Sequence, residues 1–179
     1  MKKNRMTSPV HITPSTSPSM KNKQRGAMLL DNMIAIGFVA VVLIGIVAAI
    51  PTISYKMNLV EFQKQEARIA SETFNWKKRR SNYQGVSMTK LCDRQLLDES
   101  ICGAAGDGKA ANPFGGDWTV TGIAGHYEVT ATLSNLDGET GRLFDVADSL
   151  APSTRLQCAS SDSCGSIRGA GTKTLTMVH

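Results

Sequence analysis

The sequence predicts an α+β protein in which a long N-terminal helix, its first half transmembrane, packs on an antiparallel β-sheet domain with disulfides. Three observations lead there. Residues 33–50 are apolar without a break, helical hydrophobic spacing continues beyond them, and period-two alternation follows in the half of the chain that holds all four cysteines. At 179 residues there is room for one globular domain and an appendage, which excludes a large multidomain enzyme. Hydrophobic residues at 41% and charged residues at 20% exclude collagen-like and wholly disordered chains.

The first 26 residues carry Lys2, Lys3, Arg5, Lys21, Lys23 and Arg25, no acid, and Pro9, Pro14 and Pro18 among polar residues. Such a segment cannot bury enough apolar surface to fold alone and is set aside as a leader. Beyond it 14 cations face 15 acids. The formal net charge of +5 therefore describes the leader, and specific nucleic-acid binding is not expected of the domain. The 18 residues of the apolar run suffice to cross a bilayer as a helix rising ~1.5 Å per residue. Val47, Ala48 and Ala49 mimic a signal-peptide end, but signal cores are usually shorter, roughly 7–15 residues. The basic leader places the N-terminus in the cytoplasm and everything after residue 50 outside.

Past the span, Leu59, Phe62, Ile69, Thr73 and Trp76 form one helical row, with Val60, Ala67, Ala70 and Phe74 beside it and Lys56, Glu61, Lys64, Arg68 and Glu72 facing outward. The helix is expected over residues 27–80, divided into a half embedded in lipid or in other helices (27–53) and an amphipathic half (54–80), with Pro51 kinking it. Gly37, Gly45 and Pro51 are its flexible points, since each Gly costs about 1 and Pro ~3 kcal/mol in a water-exposed helix interior. Residues 81–179 form the head.

Residues 81–116 read as irregular, with one helical patch at 90–99. Trp118, Val120 and Gly122, then Tyr127, Val129, Ala131 and Leu133, alternate on either side of a Gly125 turn and predict a β-hairpin. Thr140, Leu143, Phe144, Ala147 and Leu150 predict a helix ending before Pro152, and Thr174, Thr176 and Val178 a last short strand. Cys92, Cys102, Cys158 and Cys164 show no CxxC spacing, which argues against zinc; an even count beyond a membrane segment predicts disulfides. Local closure favours Cys92 with Cys102 and Cys158 with Cys164, Cys102 falling just past the helical patch. A bridge between the two regions is the alternative.

The junction Arg25, Gly26, Ala27, Met28, Leu29, Leu30, Asp31 sets one carboxylate into an apolar run. By itself Asp31 suits a helix start at the membrane boundary. If the chain is cut after Gly26, the new amine on Ala27 lies four residues from Asp31, and the two charges can neutralise each other between neighbouring subunits.

The segment RGAMLLDNMIAIGFVAVVLIGIVAAI resembles the start of type IV pilins, and the 26-residue leader resembles the longer leaders of the type IVb branch. NPFGGDWTVTG, residues 112–122, is similar to the lead-in to the first strand in type IVb major pilins of the PilS-like, thin-pilus group. The resemblance implies the type IV pilin fold and a structural subunit, the major pilin, of a pilus supporting adhesion, aggregation or mating contact. Prepilin peptidase would cut between Gly26 and Ala27, Ala27 would be N-methylated, and Asp31 would assist assembly where the family usually has glutamate. Implied partners are copies of the same chain in a helical filament, the peptidase, the assembly platform with its ATPase, the inner membrane before assembly, and a host or recipient cell surface. Alternatives are a minor pilin or a type II secretion pseudopilin, and an anchored periplasmic binding or enzymatic domain. The run Lys77, Lys78, Arg79, Arg80 reads as a solvated helix end. His11, His126 and His179 form no metal pair; no catalytic residues, metal or cofactor are expected.

Overall fold

A computed structural model describes residues 24–78 and 80–179, with the backbone alone for residues 24–31. The chain divides between residues 49 and 50 into two compact units. Helix α1 spans Gln24–Lys77, 54 residues, three residues earlier at each end than expected. Its C-terminal end is set by a tight turn in which the Arg80 amide donates to the Lys77 carbonyl and the Arg80 guanidinium donates back to the Trp76 carbonyl. Both carbonyls would otherwise lack intrahelical partners. Pro51 lies inside α1, which is continuous across it. In the first unit residues 32–49 are exposed throughout. By length and composition this helix could cross a membrane or serve as a signal anchor.

In the second unit Tyr55, Phe62, Glu66, Ile69, Thr73 and Trp76 are buried, with Leu59 partly so. Their spacings alternate four and three, the period that holds one stripe of a helix against a partner surface. That surface is an antiparallel sheet. Among the described residues β1 (Trp118–Gly122), β2 (Tyr127–Thr132), β3 (Ile167–Arg168) and β4 (Thr174–Val178) take the order β1-β2-β4-β3. The register pairs Trp118 with Ala131, Val120 with Val129, Ala131 with Leu175, and Val129 with Met177, so the inward residues of adjacent strands meet on one buried face. The core side of β4 is Leu175 and Met177; the alternating Thr174, Thr176 and Val178 point the other way. Thr176 there shares a 3.0 Å hydrogen bond with Thr130.

Phe62 stacks on Trp118 with centroids 4.6 Å apart and also meets Phe114 at 5.4 Å. The Trp118 indole N–H donates to Gln65 Oε1 (2.9 Å) and the Tyr127 hydroxyl to the Ala70 carbonyl (2.9 Å). The segment 112–116 sets this cluster. Asn112 Oδ1 accepts the Phe114 and Gly116 amides, while its Nδ2 donates to the Thr132 carbonyl at 2.8 Å, so one side chain shapes the turn and ties it to β2. Gly115 has φ +73°, and a Cβ on Gly116 would lie 1.8 Å from the Thr132 carbonyl oxygen. Gly116→Ala must push two backbones apart and is expected to destabilise the head by about 1–3 kcal/mol. A change under ~0.5 kcal/mol in denaturant unfolding would show that this spacing relaxes freely.

The patch expected at 90–99 is two short helices, α2 (Met88–Asp93) and α3 (Glu99–Cys102). They are separated by a turn in which Gln95 takes φ 55°, a left-handed backbone that no helix continues through. Cys102 is thus the last residue of α3, and Cys92–Cys102 ties the two helices together. The second bridge is Cys158–Cys164, so both bonds are local. Helix α4 (Thr140–Leu150) buries Leu143, Val146, Ala147 and Leu150, whereas Phe144 sits on its partly exposed flank.

Asp148 of α4 accepts the Ser161 amide and hydroxyl at 2.7 and 2.6 Å. These bonds, chiefly the hydroxyl's, hold its carboxyl below the usual carboxylate range. A lowered acid pKa contributes stability that is complete above the ordinary carboxylate pKa and is lost as pH falls through the lowered one. Acidification is therefore expected to lower amide protection in the Cys158–Cys164 loop, measured against the intrinsic exchange rate at each pH, before the sheet opens. In Asp148→Asn the loop should exchange fast at neutral pH too, and equal protection in both proteins would contradict this anchoring role.

Candidate functional site

The residues expected to carry processing and assembly lie in the first unit. Gly26, Ala27 and Asp31 belong to the helical backbone of α1, while their side chains, and residues 1–23 of the leader, lie outside the described residues. Gly37 and Gly45 have open surroundings, where a Cβ would meet no atom within 4 Å. Around them Ile34, Phe38, Val41, Ile44 and Val47 are more than 60% exposed. This surface needs lipid or protein over it, since burying each such side chain is worth ~1.5–3 kcal/mol.

In the second unit α1 carries a second apolar stripe that the sequence reading assigned partly to the core. Ile53, Met57, Val60 and Phe74 are at least half exposed, and Ala67 is exposed as well. They lie two residues before positions of the buried stripe, spaced four, three, seven and seven, with the polar Lys64 and Ser71 interrupting the row. Ile53, Met57 and Val60 line a shallow groove of about 670 Å³ edged by Lys56, Glu61 and Lys64. Lys56, Glu61, Lys64 and Arg68 are outward as expected, and Lys64 lies 3.6 Å from Glu61, an exposed pair that contributes little stability. Glu72, also expected outward, is instead largely covered, its side chain 13% exposed beside Arg68 at 3.4 Å. The helix therefore presents one stripe to its own sheet and an amphipathic second face to solvent.

A buried polar cluster escaped the sequence reading. Glu66 is 1% exposed; its Oε1 lies 2.8 Å from His179 Nε2, and its Oε2 accepts from Ser153 Oγ at 3.4 Å. The His179 ring stacks on Tyr127 at 5.2 Å, and backbone bonds of 2.9 and 3.3 Å between the same two residues extend the β2–β4 ladder. Burial, with the Tyr83 and Glu66 charges adding to it, pushes the Tyr127 hydroxyl pKa up, so it stays a neutral donor. A serine, a histidine and a carboxylate do meet here. The carboxylate stands between the other two, however, so the histidine is not placed to take the serine proton, as nucleophilic catalysis requires. The arrangement clasps β4 to α1. The sequence signal was an acid at a core position of the four-and-three pattern.

Among the described residues no group of three or more His, Cys, Asp or Glu is arranged to hold a metal ion. No protein-family model, curated protein or solved structure matches the chain.

Proposed function

We propose that this chain is the major structural subunit of a type IVb pilus, held first in the inner membrane and then polymerised through α1. The observation that carries the reading is the sequence from Arg25 to Asp31 at the head of a helix that is apolar over residues 33–50 and uncovered there. A glycine is followed by one acid at the fifth position and then by an apolar run. An α+β head with an antiparallel sheet and two disulfides suits a secreted surface subunit. The second apolar stripe offers α1 further area for neighbouring helices. Cutting after Gly26 frees an amine on Ala27, which Asp31 of an adjacent copy neutralises inside the apolar core, where an unpaired charge is disfavoured.

Filament imaging of Asp31 variants, in a host supplying prepilin peptidase and an assembly machine, tests this reading. Asp31→Asn is expected to be cut normally yet to give at least about tenfold fewer filaments, and Asp31→Glu to assemble. Equal filament yield from Asp31→Asn would remove the charge-pairing role. Antibody labelling along whole filaments is expected of a major subunit, and labelling confined to rare points would mark a minor one.

A further inference from the structure

We propose that a basic cleft at the C-terminal end of α1 binds an acidic saccharide, whose carboxylate or phosphate groups lie on Arg80, Arg94 and Lys78. The cleft measures about 650 Å³ and is lined by Asn75, Trp76, Lys78, Arg80, Arg94 and Leu96. Lys78 and Arg80 also line an adjoining depression of about 280 Å³ with Phe74 and Lys77. The charge run that reads as a solvated helix end thus gains a further cation, Arg94, from the turn after α2. No carboxylate lines either depression, and among the described residues Lys77, Lys78, Arg80 and Arg94 take part in no ion pair.

Arg80 is preorganised. Its guanidinium lies 3.8 Å from the centroid of the Trp76 ring and donates to the Trp76 carbonyl. A guanidinium fixed on an aromatic face keeps its remaining N–H groups for an oxyanion, which it can bind through two parallel bonds. Asn75 donates its amide to Glu72 at 3.4 Å, which leaves its carbonyl oxygen to accept from a hydroxyl. Phe74, which is exposed in the adjoining depression, and Leu96 supply apolar surface for the C–H face of a sugar ring. Nucleic acid fits less well, because stacking successive bases requires several open aromatic faces, and of Phe74, Trp76 and Tyr83 only the first is exposed. Trp76 and Tyr83 are buried, and their rings already carry Arg80 and, at 4.6 Å, the Lys77 ammonium.

This inference is independent of polymerisation. The test is calorimetric titration of the full-length protein in an uncharged detergent with an oligogalacturonate, a phosphorylated mannan oligosaccharide, neutral dextran and a single-stranded oligonucleotide. At least one acidic oligosaccharide is expected to bind and dextran not to, the two acidic arms showing which oxyanion is preferred. The Arg80→Gln/Arg94→Gln double variant is expected to lose about tenfold or more in affinity, the scale of a charged hydrogen bond. Lys64→Gln/Lys173→Gln, which removes two exposed cations outside the cleft, should bind as the parent does. Should the first double variant fail to fold, Lys78→Gln and Arg94→Gln carry the test singly, since both side chains are exposed. Absence of binding, equal binding of dextran, unchanged affinity in the cleft variants, an equal loss in the remote pair, or tighter binding of the oligonucleotide would each overturn the proposal.

Discussion

Phe62→Ala is expected to lower the stability of the head by about 3–5 kcal/mol, the range for removing a fully buried aromatic side chain. Phe62 is 0% exposed and stands between Trp118 and Phe114, so its loss leaves a cavity bounded by two rings that cannot both close on it. Trp118 is also held by Gln65, and Phe114 by the turn that Asn112 organises, which limits relaxation. Denaturant unfolding of the full chain in micelles, followed by tryptophan fluorescence, reads the effect. Phe62→Leu should cost markedly less because it refills much of the volume. A loss below about 1 kcal/mol for Phe62→Ala would mean that the α1 stripe is not what holds the sheet.

The second large effect is expected at the clasp. His179→Ala leaves the Glu66 carboxylate buried without its nearest partner, and breaking such a pair from one side typically costs about 3–5 kcal/mol. Glu66 Oε1 and His179 Nε2 have no other hydrogen-bond partner among the described residues, so each atom compensates only the other. Replacing both, as Glu66→Leu/His179→Leu, removes the buried polar pair altogether and should recover most of the loss. That non-additivity is the signature to look for. If the double variant is as unstable as the sum of the singles, the two residues act separately and the clasp is merely packing. Amide exchange at Thr176 and Val178 should rise in His179→Ala, because β4 is where the pair anchors the sheet to α1.

Much of this architecture was legible because it follows from periodicity. The apolar run, the alternation in Trp118–Gly122 and Tyr127–Thr132, and the α4 spacing are each set by one segment's own residues. What was not legible depends on distant partners. A helix through Gln95 satisfies every local preference, yet the chain turns there to bring Cys92 to Cys102. Strand β3 is two residues long and exists only because β4 offers it an edge. Glu66 and Gln65 are polar residues in a core stripe, acceptable only because His179 and Trp118 arrive more than fifty residues later. Val60 and Phe74 look like core residues by composition, but one sheet covers only one stripe of a helix. The same logic applies to the basic cleft, since Lys78 and Arg80 belong to a charge run in sequence and meet Arg94 and Leu96 only after folding.

In the proposed function the chain is processed after Gly26 and built into filaments through α1, which in the mature subunit would start at Ala27. The most direct measurement is the intact mass of the subunit recovered from filaments sheared off cells that carry prepilin peptidase and an assembly machine. The expected chain starts at Ala27, carries one added methyl group, keeps both disulfides and appears only when the peptidase is present. A subunit that keeps residues 1–26, or one cut after Ala49 and found free of filaments, would contradict it.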